Sequence, residues 1–123
     1  MSTRNARFDF REPVSYNPDR KVLFHRAARR QLRLLGQALG FPTGSYDLRS
    51  NPAGIAVSGE ITLHAEQLYV QVSQSCMGCD NGILFRRCSG RKDYVGGRNN
   101  FASLDLLHDP KLLAQRIREV CHV

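Results

Sequence analysis

IAVSGEITLH, residues 55–64, and LYVQVS, residues 68–73, alternate apolar and polar side chains. Ile55, Val57, Ile61 and Leu63 share one parity, and Ser58, Glu60, Thr62 and His64 the other. Successive side chains of an extended chain point to opposite faces, so this is the pattern of strands with one face buried. Leu68, Val70 and Val72 continue it, and pairing Leu63 with Leu68 and Ile61 with Val70 would place both apolar sets on one face. Upstream, Tyr46 and Leu48 are expected to pair with Gly59 and Val57 across the turn Asn51-Pro52-Ala53-Gly54. Downstream, Ile83 and Phe85 extend the inner face. The expectation is a four-stranded antiparallel meander with strands near 45–50, 55–64, 67–74 and 83–88.

The apolar face of such a sheet needs a cover, and the flanking segments read as helices. Asn17-Pro18-Asp19 combines an N-cap, a first-turn proline and an acid at the positive helix end. Phe24, Ala28, Leu32, Leu35 and Leu39 then fall on one face of a helix from about 18 to 39, which Gly40 and Pro42 close. A second helix starts at Asp109-Pro110 and carries Leu112, Leu113, Ile117 and Val120, preceded by a helical turn from Ser103 to Leu107. The predicted class is α+β: a two-layer α-β-β-β-β-α domain over 17–123, with both helices on one sheet face. Residues 1–16 read as an N-terminal arm whose aromatics, Phe8, Phe10 and Tyr16, can dock on it.

At 123 residues the chain has the length of one domain, and 41% hydrophobic with 24% charged residues is a globular composition. No run of about 18 apolar residues is present to cross a membrane. MSTRNARFDFREP lacks the apolar core of a secretory signal, so a cytoplasmic location is expected, with cysteines reduced, buried or metal-bound. The formal net charge is +7, and it is concentrated. Residues 20–39 hold six basic and no acidic side chains, residues 86–98 hold five basic and one acidic, and the remainder sums to −3. Such a distribution favours an acidic partner, either nucleic acid or an acidic protein.

Cys76-Met77-Gly78-Cys79 has the spacing of half a zinc site. With residue 74 opposite 83, Cys88 would lie roughly 17 Å down the strand from that knuckle, too far to be a third ligand. Cys121, His122, His108 and His25 are the remaining donors, and sequence does not place them. The expected reading is an inert loop pair without a cofactor, with zinc as the minority alternative. No helix pattern starts at Cys76 to lower a thiolate pKa in the thioredoxin manner. A Cys88–His64 dyad is disfavoured by one intervening strand, about 10 Å of separation. No nucleophile elbow, zincin helix or phosphate-binding Walker loop is present, so no catalytic residue is assigned and a non-enzyme is expected.

Three surfaces remain as binding candidates. Arg26, Arg29, Arg30 and Arg33 form a basic stripe on the first helix, able to follow a phosphate backbone. The segment Gly90–Asn100 combines Arg91, Lys92 and Arg98 with Tyr94 and with Gly96 and Gly97, whose backbone can approach an anion. The outward sheet face carries Glu60, Thr62, His64, Tyr69, Gln71 and Arg86, with expected cross-strand rows Thr62–Tyr69–Cys88 and Glu60–Gln71–Arg86. The same residues would also suit an ordinary solvated surface. The leading expectation is a non-catalytic accessory protein that binds nucleic acid through phosphates with little base specificity. The alternatives are an adaptor or inhibitor docking an acidic protein or pairing as a homodimer, and a small enzyme on a phosphorylated substrate served by His108.

Overall fold

The structure, a computed structural model, describes residues 8–14, 17–53, 58–74, 80–94 and 97–123. Helix α1 spans Pro18–Ala38, and the Asn17 side chain accepts from the Asp19 and Arg20 amides at 3.0 and 3.1 Å. Strands β1 (Tyr46–Asn51), β2 (Glu60–Ala65), β3 (Leu68–Ser73), β4 (Ile83–Arg87) and β5 (Asn100–Ala102) form one antiparallel sheet in chain order. A 3-10 helix, Leu104–His108, leads from it into α2, Pro110–Cys121, with Ser103 and Asp109 as their N-caps.

The α+β architecture is the expected one, but among the described residues the sheet has five strands rather than four. The fifth is three residues long, too short to display a period, and pairs Ile83 with Ala102 and Leu84 with Phe101. Two registers also differ from expectation. Leu63 lies opposite Val70 and Ile61 opposite Val72, because β2 runs on to Ala65 and only Glu66 and Gln67 make the turn. A shift of two residues preserves which side chains face inward, so the inner set is unchanged. Tyr46 pairs with Ala65 and Leu48 with Leu63, not with Gly59 and Val57. β2 begins at Glu60, and the expected strand positions 55–57 lie outside the described residues.

The core lies between the sheet and both helices. Phe24, Ala28, Leu32 and Leu35 of α1 and Leu113, Ala114 and Ile117 of α2 are buried against Ile61, Leu63, Val70, Val72, Ile83 and Phe85. α1 lies over β1 and β2, where Gly36 lets it approach the Tyr46 ring: any Cβ there would come within 2.8 Å of the tyrosine hydroxyl. Each helix ends on an arginine from elsewhere. Arg118 of α2 donates to the Ala38 carbonyl at 2.8 Å, and Arg87 of β4 donates to the Cys121 carbonyl at 2.8 Å. A cation on exposed terminal carbonyls also complements the negative end of the helix dipole.

The N-terminal segment packs as part of this core. Phe10 and Val14 are buried, and Phe8, Phe10 and Phe24 meet edge to face, while Tyr16 lies outside the described residues. Gln74, just past β3, holds the segment: its amide donates to the Phe10 and Glu12 carbonyls at 2.8 and 3.0 Å, and its Oε1 accepts from the Val14 amide at 2.6 Å. Its backbone amide donates to Ser58 Oγ at 2.7 Å, and the Ser58 carbonyl accepts from His25 Nε2 at 2.6 Å. His25 is therefore a packing residue. Gln74→Leu would leave three polar groups of the segment unpaired and should lower stability by about 2–4 kcal/mol. Urea unfolding should show a lower midpoint with an unchanged slope, together with faster exchange at the Val14 amide.

Candidate nucleic-acid interface

With both helices on one side, the other side of the sheet is where β1 to β5 present polar side chains. The true registers regroup them into two full rows. One runs Asp47–His64–Tyr69–Arg86, and the next runs Arg49–Thr62–Gln71–Leu84–Phe101. The expected rows, with Tyr69 beside Thr62 and Arg86 beside Gln71, are thus each displaced by one pair. Cys88 joins neither row; it lies buried beyond β4, with its Sγ 3.4 Å from the Ala65 carbonyl.

The segment after β4 folds back across the first row. Its Gly90 carbonyl accepts from His64 Nε2 at 2.9 Å, and its Asp93 carbonyl accepts from the Arg86 guanidinium at 3.2 Å. At the far side, Arg91 reaches Asp47 through both carboxylate oxygens at 2.5 and 3.3 Å, and the Tyr94 hydroxyl accepts from Arg49 at 3.3 Å. The segment closes on itself through the Ser89 amide, which donates to Asp93 Oδ2 at 2.9 Å. Sequence reading treats loop and sheet face as separate surfaces. Here they are one.

Several of the candidate residues are engaged within the protein. Arg86 is 3% exposed, with its guanidinium 4.6 Å from the centre of the Tyr69 ring, so it supports the face from beneath rather than meeting a phosphate. His64 is buried between the Tyr69 and Tyr94 rings, each 5.1 Å away and edge-on. Burial raises the Tyr69 phenol above its ordinary pKa, and its hydroxyl donates to Gln71 Oε1 at 2.9 Å. Arg91 is committed to Asp47 and the Gly44 carbonyl. Gly97 serves close packing, since any Cβ there would run into the Arg87 carbonyl oxygen. Gly96, Cys76 and Cys79 lie outside the described residues, among which no three metal-binding side chains come together. His108 is turned to the N-terminal segment, donating to the Phe8 carbonyl at 2.7 Å and packing on Phe10.

What remains outward is strongly basic. Arg26, Arg30 and Arg33 are exposed on α1, as are Lys92 and Arg98 around the loop. Arg29 instead reaches the edge strand, donating to the Leu48 carbonyl and Ser50 Oγ at 3.3 and 3.4 Å. Between these two positions Arg49 projects from β1 to the opposite face, where it meets Tyr94. The helix stripe and the loop therefore flank the same strand, joined by Arg29 on one side and Arg49 on the other. Sequence reading missed Arg49 and Phe101. Arg49 has the outward parity of its predicted strand and was identifiable from it, whereas Phe101 occupies a strand too short to announce itself.

The Arg91 hydrogen bonds hold the Asp47 carboxyl below the ordinary aspartate range, against the opposing effect of desolvation, with smaller electrostatic help from Arg91, Arg49 and His64. Arg11 does the same to Asp105. A carboxyl depressed in the folded state stabilises it above the unfolded pKa, and that stability is lost as pH falls through the folded value. The thermal midpoint should accordingly fall on acidification from about pH 5 to pH 2. Asp47→Asn should shrink the fall while leaving the part due to Asp105, as a pH series of thermal melts would show.

Comparison of the chain with protein-family models, with curated proteins and with solved structures gives no match.

Proposed function

We propose that this protein is a non-catalytic accessory protein that binds nucleic acid through phosphate contacts with little base specificity. The observation that carries the reading is the meeting of the two basic segments at β1. Arg26, Arg30 and Arg33 are exposed on the helix whose Arg29 grips that strand, while Arg49 and the loop with Lys92 lie on the strand's other side. Along this band the nearest acid of the strand, Asp47, is neutralised by Arg91. A stripe of cations without interspersed acids suits a phosphate backbone, and such contacts position a nucleic acid without reading its sequence. The buried free thiols Cys88 and Cys121 suit a reducing, cytoplasmic setting.

Fluorescence-anisotropy titration of labelled DNA and RNA at two salt concentrations tests the proposal. Binding should weaken steeply with salt, and replacing Arg26, Arg30 and Arg33 together by glutamine should reduce the logarithmic salt slope for duplex by about 0.9 for each phosphate that is no longer neutralised. An unchanged slope would remove α1 from the interface. Absence of binding even at low salt would overturn the reading in favour of an adaptor for an acidic protein, which would use the same charges.

A further inference from the structure

Phe101 stands 52% exposed on β5, pointing away from a core that its neighbour Ala102 joins. About half of the Phe101 side chain is open to solvent, and the residue is not isolated. The row it ends runs through Leu84, Gln71 and Thr62 to Arg49, across four strand spacings, or about 19 Å. At the Arg49 end stands a second bare ring, Tyr94, 53% exposed. Tyr94 is held in place rather than loose: Arg49 donates to its hydroxyl, and its ring is set at 78° to the His64 ring. The folded-back loop thus covers one row of the sheet and flanks the next, leaving an open row, here called the trough, with an exposed aromatic ring near each end.

From this geometry we infer that the trough takes a single-stranded nucleic acid, with bases stacking on Tyr94 and Phe101. The inference rests on the nucleic-acid reading above and adds the form of the ligand. Arg49 supplies a cation at Tyr94 for the backbone, and Arg98, three residues before Phe101 in the chain, is exposed. Thr62 and Gln71 supply polar groups between them. The Gln71 Oε1 is occupied by the Tyr69 hydroxyl, which leaves its amide N–H groups to donate to a base edge or a ribose hydroxyl. Of the carboxylates on this face, Asp47 is neutralised by Arg91, and Glu60 stands in the adjoining row, two residues from Thr62, hydrogen-bonded by Asn51 at 3.3 Å. A duplex keeps its bases stacked inside and offers these rings nothing, whereas a single strand can splay its bases onto them.

The test titrates the full chain with labelled oligo-dT and oligo-U of about ten nucleotides and with a duplex of equal phosphate count. Phe101→Ala, Tyr94→Ala and Phe101→Trp are measured alongside, with thermal melts confirming that each is folded. Either single strand should bind more tightly than duplex. Each alanine variant should lose between about five- and 150-fold in single-strand affinity, and Phe101→Ala should leave duplex binding the same. Phe101→Trp, which retains a stacking face, should bind like the parent. An RNA preference would add the ribose hydroxyl to the contacts, and equal RNA and DNA affinity would leave stacking as the common element. Duplex binding as tight as single-strand binding, with both alanine variants unaffected, would overturn the trough and leave phosphate binding by α1 standing. No binding of any form would overturn both.

Discussion

Both helices cover the same face of the sheet, and the remaining features of the molecule follow from that constraint. Apolar side chains at alternate positions of β2, β3 and β4 must be removed from water, and α1 and α2 together are wide enough to do it. Phe10 and Val14 of the segment before α1 fill the remaining core on the same side, held through the hydrogen bonds of Gln74. Among the described residues no helix covers the opposite face. There the segment after β4 folds back over one row of side chains and leaves the next open.

The arginines divide accordingly into two groups with different physical work. Arg87 and Arg118 close helix ends, Arg29 caps the edge strand, Arg86 lies under the loop and Arg91 fastens that loop to Asp47. A guanidinium suits these tasks because it is planar, permanently charged and donates in several directions at once. Arg26, Arg30, Arg33, Arg49, Arg98 and Arg116, with Lys92 and Lys111, are left on the surface. A net charge of +7 therefore overstates what a ligand would meet at any one place, and what matters is where the second group collects. Arg26, Arg30, Arg33, Arg49 and Lys92 collect on both sides of β1, while Arg98 stands by β5. The edge of a sheet is otherwise open to pairing with another chain, and a cation bonded to its carbonyl blunts that tendency.

The sequence by itself determined the class of fold, both helices with their caps, and which strand residues face inward. These are local or periodic properties: Asn17 and Asp109 cap the turns that follow them, and alternation fixes a face whatever the exact register. It did not determine the pairings, since a shift of two residues satisfies the same alternation, and the turn at Glu66-Gln67 decides between them only once the strands meet. Nor did it reveal β5, whose three residues are ordered by β4 and not by any pattern of their own. The candidate site was legible as a list of cations and aromatics, but not as a surface. Tertiary structure alone decided that Arg86, Arg91 and His64 hold the loop while Arg49, Tyr94 and Phe101 remain to face solvent. The reason is that a long-range contact such as Asp47 to Arg91 joins residues 44 positions apart, and nothing in the chain near either residue encodes it.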